Sequence, residues 1–212
     1  MSDAAASHFV EREQRREAAR IGMWVFLATE VMFFGVLFVA YFYSLRLYPG
    51  GFASAGGRTN LPLGAVNTAL LLLSGLAMGL AVEAAKDGRA RALAARLFAT
   101  MALGAAFLVL KGVEYASHVR EHLLPGAAFR YEPAALTRPA ELFFYLYFAM
   151  TGLHALHMIG GIAWLAWLFA RARRGGGRED LFTPVELAGL YWHFVDVVWL
   201  FLFSMFYLVR RH

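Results

Sequence analysis

The sequence contains no cysteine, and few of its residues are charged. Without cysteine the chain cannot form disulfides, thiolate-bound metal or haem sites, or a cysteine nucleophile. Charged residues make up 17% of its 212 residues and hydrophobic residues 60%, whereas a soluble domain has about a quarter charged and just under half apolar. The sequence also has neither a glycine-rich dinucleotide motif nor a P-loop. This composition predicts a membrane protein.

Five apolar segments are long enough to cross a membrane, for which a helix needs about 20 apolar residues. Stretches rich in glycine, proline and charge separate these segments, and such residues end helices by steric means. We therefore predict an all-α integral membrane bundle over residues 21–212, preceded by a polar tail at 1–20. The five transmembrane helices are expected at about residues 22–45, 63–82, 96–117, 141–169 and 185–209.

The arginines and lysines predict the orientation of the bundle. Twelve of them lie in the N-terminal tail and in the second and fourth connections, and seven lie on the opposite side. By the positive-inside rule the N-terminus is expected in the cytoplasm and the C-terminus outside. The first twenty residues lack the apolar core of a signal peptide, so we expect the first span to be retained. Since the net charge of +5 comes from these short loops, it does not call for a nucleic-acid partner.

Seven ionisable residues lie inside the predicted spans, where they are costly and usually have a specific reason to be present. Counting about 1.5 Å per helical residue places five of them in one layer at or just inside the membrane centre. Lys111 and Glu114 lie further out, on one face of the third span. They can form an ion pair within their helix that reaches toward the outer interface, or they can have a specific role. The five residues of the inner layer are Glu30, His154, His157, His193 and Asp196.

Several kinds of site are compatible with the inner layer. His154 and His157 share a helix face, and the other three residues could complete a di-iron set, although the Glu-x-x-His motif of such bundles is missing. Two histidines on facing helices could instead hold a haem. Alternatively, the five residues form hydrogen bonds between helices, each stabilising the packing by roughly 0.6 to 2 kcal/mol. A fourth possibility is a site that exchanges protons or holds a lipid headgroup.

Four stretches of the sequence resemble subunit III of the haem-copper respiratory oxidases. They are MWVFLATEVMFFGVLF at 23–38, LKGVEYASH at 110–118, TGLHALHMIGG at 151–161 and YWHFVDVVWLFLFSMFYL at 191–208. The resemblance extends over all five spans, from about residue 20 to the C-terminus. It matches the shorter bacterial form, which lacks the two N-terminal helices of the seven-helix version.

The resemblance implies an accessory, non-catalytic subunit of a proton-pumping terminal oxidase in the bacterial plasma membrane, acting in aerobic electron transport. Such a subunit carries no cofactor or metal, because haem and copper are held by partner subunits. It stabilises the catalytic subunit, supports proton uptake and binds phospholipid. The partners implied are subunit I in direct contact, subunit II, a small subunit IV and membrane phospholipids, with no nucleic acid.

The same resemblance implies roles for individual residues. Glu30 falls on the buried glutamate of the family motif S/T-E-V-x-F-F, which reacts with hydrophobic carbodiimides. Tyr43 and Arg46 are implied as contacts to a lipid headgroup, although Val39 and Tyr43 stand where seven-helix members often have tryptophan and histidine. The resemblance implies a buried polar network linked to lipid or protons, without metal, formed by Glu30, Glu114, His154, His157, His193 and Asp196.

The stretch ATEVMFF favours the cytochrome c oxidase branch of the family, because subunit III of the quinol oxidases has aspartate in place of Glu30. A quinol oxidase subunit III or a nitric-oxide-reductase-associated homologue is the alternative within the family. Outside it, the alternative is a small independent proton channel or transporter that uses the inner polar layer. Transporters often have internal repeats and broken helices, and the sequence shows neither clearly.

Overall fold

The computed structural model describes residues 2–174 and 178–208, with side chains described for 13–174 and 181–208. Within these ranges the chain is helical and contains no strand. The six α-helices are α1 (Ser2–Leu47), α2 (Pro49–Gly56), α3 (Leu61–Lys86), α4 (Ala90–Arg120), α5 (Thr137–Arg173) and α6 (Arg178–Phe203). A 3-10 turn (Ala134–Leu136) precedes α5, and a π-helical turn (Ser204–Leu208) continues α6.

Five helices of the described ranges are long and apolar enough to cross a membrane, which confirms the predicted all-α bundle. They are α1 and α3 to α6, the last continued by the π-helical turn to Leu208, and the five predicted spans lie within them except for residue 209, which is outside the described residues. The segment predicted as a polar tail continues α1 back to Ser2. Its glutamate, glutamine, arginine and alanine residues are strong helix formers, which explains the continuation.

Two connections predicted as turns are partly helical. Within residues 48–62, the short helix α2 packs on α5, and a Cβ on Gly51 would lie 2.2 Å from Pro139 Cβ, so only glycine fits this approach. The connection predicted to run to Pro184 instead ends earlier, because α6 already begins at Arg178. A proline at this position loses one backbone hydrogen bond and its ring crowds the carbonyl four residues earlier, yet α6 continues past Pro184 to Phe203.

Four helices form a closed ring in which α3 packs on α4 and α6, and α5 packs on the same two helices. The fifth, α1, lies outside the ring against α5 and α6. A bidentate ion pair between Arg20 and Glu186, with N–O distances of 2.9 Å, joins α1 to α6. At the other end of α1, the Tyr41 hydroxyl donates to the Met205 carbonyl in the π-helical turn.

Large aromatic side chains of α6 fill the interior of the ring. Trp192 and Trp199 are fully buried, and their indole N–H groups donate to Ser74 and Thr68 of α3 at 3.0 Å. Gly104 and Gly161 make room for Trp192 from both sides, since a Cβ on either would lie about 3 Å from its ring. Many large apolar side chains are exposed on the helices, as expected where helices face lipid.

Candidate functional site

Glu30 of α1 and His157 of α5 form a polar contact at the side of the bundle. Glu30 Oε2 lies 3.1 Å from His157 Nε2, and His157 Nδ1 lies 2.9 Å from the Leu153 carbonyl oxygen. A carbonyl oxygen only accepts, so Nδ1 carries a proton and donates it. The proton between Nε2 and Oε2 then belongs either to an imidazolium facing a carboxylate or to a carboxylic acid facing a neutral imidazole. The pair can therefore hold one transferable proton.

The second polar group is a buried cluster of four residues from α4, α5 and the π-helical turn: Lys111, Glu114, Tyr147 and Tyr207. Lys111 is 5% exposed and Glu114 is 2% exposed. Lys111 Nζ donates to Glu114 Oε2 at 2.9 Å and to the hydroxyls of Tyr147 and Tyr207 at 2.9 and 3.1 Å. An ammonium has three protons to donate, so Lys111 has all of its hydrogen bonds.

The carboxylate of this cluster is also well satisfied. The Tyr207 hydroxyl lies 2.6 and 2.7 Å from the two Glu114 oxygens, to which it donates. The rings of Tyr147 and Trp199, with centroids 4.7 and 5.3 Å from Lys111 Nζ, add cation–π attraction. The ion pair of Lys111 and Glu114, one of the two alternatives considered from the sequence, is therefore present. It is buried inside the bundle, where the two hydroxyls are the other partners of the ammonium.

His154 is fully buried and stands apart from both groups. Neither of its ring nitrogens has a hydrogen-bond partner among the described residues. Its ring packs against Phe107 and Trp199, with centroids 5.6 and 5.3 Å away. Three helical residues leave the two side chains about 60° apart around the helix axis, and their contacts show that His154 faces the ring interior while His157 faces α1.

His193 and Asp196 of α6 lie in a groove beside α3, on the outside of the ring. His193 Nδ1 is 3.8 Å from Asp196 Oδ2, which is too long for a hydrogen bond. Asp196 is 7% exposed, and its Oδ1 has no hydrogen-bond partner in the described part of the chain. The His193 side chain is 51% exposed.

The structure thus divides the inner layer predicted from helix depths into the Glu30–His157 pair, the solitary His154 and the His193–Asp196 pair. The three parts face α1, the ring interior and the α3–α6 groove, so they do not join into one network. Among the side chains described, those of residues 13–174 and 181–208, no three histidine or acidic groups lie closely enough together to hold a metal ion. The di-iron arrangement considered from the sequence therefore has no counterpart in these ranges.

The structure adds two residues that sequence reasoning missed, Tyr147 and Tyr207. In the sequence, only Lys111 indicated that such residues exist, because a lysine inside a span needs acceptors from neighbouring helices. Tyr43 and Arg46, predicted to contact a lipid headgroup, are exposed near the end of α1. They are three residues apart on one helix face, and their contact with lipid stays a prediction.

The similarity to known proteins extends over the whole length of this bundle. Residues 6–210 match the family described as "Cytochrome c oxidase subunit III". The chain is 30% identical to the "Probable cytochrome c oxidase subunit 3" of Nocardia farcinica, over 98% of this chain and 96% of the relative. It is 33% identical to the "Cytochrome c oxidase subunit 3" of Alkalihalophilus pseudofirmus, over 89% and 85% of the two chains. It is 30% identical to the "Quinol oxidase subunit 3" of Bacillus subtilis, over 93% and 91%.

Proposed function

The chain belongs to the cytochrome c oxidase subunit III family, and we propose that it is the accessory subunit III of a proton-pumping, oxygen-reducing cytochrome c oxidase. Membership confirms the resemblance seen in four stretches of the sequence. The observation that carries the proposal is the family match over residues 6–210 on a fold with five spanning helices. The chain is an integral membrane protein of the haem-copper oxidase system.

Cytochrome c is our choice of electron donor for the complex. The 33% identity to the cytochrome c oxidase subunit 3 of Alkalihalophilus pseudofirmus supports it. The residue at position 30 supports it as well, because it is glutamate in this chain and aspartate in subunit III of the quinol oxidases. The second candidate is subunit III of a quinol oxidase. It is supported by the 30% identity to the Bacillus subtilis quinol oxidase subunit 3 over almost the whole chain.

We place the redox chemistry in partner subunits that hold haem and copper. The three histidines of the predicted spans favour this, because each lies in a different surrounding. His157 already contacts Glu30 and a backbone carbonyl, His154 is enclosed by aromatic rings, and His193 is on the outer surface. A bis-histidine haem site needs two such rings facing each other across the bundle.

In this proposal the subunit supports its partners through lipid and proton binding. The Glu30–His157 pair lies between α1 and α5, with both side chains 17% exposed, and can hold one transferable proton for proton uptake by the catalytic subunit. Tyr43 and Arg46 offer a hydroxyl and a guanidinium to a phospholipid phosphate at the end of α1. With the N-terminus in the cytoplasm, this headgroup site lies at the outer interface. The partners are subunit I in direct contact, subunit II and a small subunit IV.

Purification of the tagged chain from its native membrane in mild detergent tests the proposal. A haem-bearing subunit is expected to co-purify, and the preparation should consume oxygen with reduced cytochrome c. Oxygen consumption with a quinol but not with cytochrome c would replace the first candidate by the second. Absence of any haem-bearing subunit from the purified material would contradict both.

A further inference from the structure

The His193–Asp196 pair has an unusual position, because it lies on the outside of the bundle and near its middle depth. Asp196 is close to the midpoint of the spanning segment Leu181–Leu208, and its neighbour Gly75 is close to the midpoint of α3. A half-exposed histidine beside a carboxyl group at that depth would face hydrocarbon. Ionisable residues within membrane spans face the bundle interior, an aqueous cavity or a partner.

Asp196 is held in this position by close packing, but one of its carboxyl oxygens lacks a hydrogen-bond partner among the described residues. A Cβ on Gly75 would lie 2.5 Å from Asp196 Oδ2, so the carboxyl group occupies the space that a larger residue on α3 would fill. Its other oxygen, Oδ1, accepts no hydrogen bond from any of the described residues, and His193 is 3.8 Å from Oδ2. A buried polar group without a partner is expensive. The packed chain therefore holds this acceptor in place without satisfying it.

The groove around the pair has the shape of a helix-docking surface. Its volume is about 460 Å³, and its walls include the exposed leucines Leu72, Leu76 and Leu200. On α3 the space at Gly75 is taken by Asp196, but Gly79, one turn further along, is exposed, and a Cβ on it would meet nothing within 4 Å. A small residue at such a position allows a second transmembrane helix to approach the backbone closely.

We propose that this α3–α6 groove docks a transmembrane helix of another oxidase subunit, and that the helix presents a hydrogen-bond donor side chain to Asp196 and His193. The inference rests on the proposed function and adds the surface through which the subunit is held. A protein helix fits better than lipid, because headgroup donors lie about 15 Å from the centre of a hydrocarbon core about 30 Å thick. Acyl chains, which reach the centre, have no donor to offer.

Photo-crosslinking in the assembled complex tests the docking directly. Benzoylphenylalanine replaces Leu76 in the groove, and in a separate matched variant it replaces Val109, which is equally exposed on α4. After irradiation of native membranes, the adduct of the Leu76 variant is expected on a membrane-spanning peptide of another oxidase subunit. An adduct only with lipid, or only with a second copy of this chain, would overturn the proposal.

Retention of the subunit gives a second, independent measurement. Gly79→Leu fills the groove, while Gly112→Leu adds the same side chain at a position on α4 that is equally open. During detergent washing of the purified oxidase, Gly79→Leu should lose this chain about three- to tenfold faster than the Gly112→Leu control, the factor expected for loss of an interhelical contact. Asp196→Leu should behave like Gly79→Leu, and Asp196→Asn, which keeps an acceptor oxygen, should be retained better than Asp196→Leu.

The failures of this inference and of the proposed function are distinguishable. If the wild-type chain purifies without a haem-bearing subunit, the proposed function fails and the docking partner fails with it. If it purifies with that subunit, but Gly79→Leu and Gly112→Leu are retained equally, the oxidase assignment stands and the α3–α6 groove is not the docking surface.

Discussion

Replacing Lys111 by methionine tests whether the buried cluster stabilises the bundle. Methionine fills a similar volume but leaves Glu114, which is 2% exposed, with the Tyr207 hydroxyl as its hydrogen-bond donor. Removing one partner of a buried ion pair costs about 3–5 kcal/mol, because the remaining charge is buried without compensation. We therefore expect Lys111→Met to lower the free energy of unfolding by about that amount.

The measurement is titration of the detergent-solubilised protein with sodium dodecyl sulfate, followed by far-ultraviolet circular dichroism. The matched control is Arg89→Met, which removes one partner of the exposed Arg89–Asp87 ion pair. Both side chains of that pair are about half exposed, so this control should lose no more than about 1 kcal/mol. The comparison separates the effect of burial from the effect of losing an ion pair.

A double variant identifies the cause of the loss. Lys111→Met combined with Glu114→Gln removes both charges, so no uncompensated charge stays buried, which is the main cost of breaking such a pair. The double variant should therefore be more stable than Lys111→Met alone. A loss of less than about 1 kcal/mol in the single variant, or a double variant less stable than the single one, would refute the reasoning.

Three further substitutions, one of them with a matched control, probe other contacts of the described bundle. Gly161→Ala places a Cβ 2.9 Å from a buried indole ring, so it should lower the free energy of unfolding by about 1–3 kcal/mol in the same titration. Its control is Gly160→Ala, which should be nearly neutral because the nearest neighbour of the added Cβ is 4.0 Å away. Tyr41→Phe removes the hydroxyl that binds a carbonyl of the π-helical turn and should cost about 1 kcal/mol. Glu30→Gln should leave the haem spectrum of the purified oxidase unchanged and shorten the time for which it turns over, and loss of haem on this change would contradict an accessory role.

The helical spans could be predicted from the sequence because the cost of placing polar backbone and side chains in hydrocarbon is large and local. The start of α6 could not, since proline is a strong signal for a helix boundary and Pro184 is nevertheless accepted in the second turn. The same limit applies to α2, a short helix in a stretch rich in glycine. Local rules give the type of an element more reliably than its ends.

The candidate site was less predictable, because depth along a helix does not fix the direction of a side chain. His154 and His157 lie one turn apart, yet one faces aromatic rings and the other contacts Glu30. Two of the three acceptors of Lys111 come from α5 and from a π-helical turn, whose register no simple periodicity reveals. These contacts are set by packing between distant parts of the chain.

The polar groups of the described bundle differ in how many of their hydrogen bonds are made within the chain. This difference distinguishes groups that stabilise the fold from groups that bind a partner. Lys111 has all three of its hydrogen bonds within the chain, so its cluster needs nothing from outside and belongs to the fold. Asp196 is fixed by Gly75 and α6 but has an oxygen without a partner, and the groove beside it is open. Since an unsatisfied buried acceptor costs stability, keeping one at the surface of a spanning bundle is reasonable only where a second chain completes it. We therefore expect the partner subunit to contact the side of the bundle formed by α3 and α6.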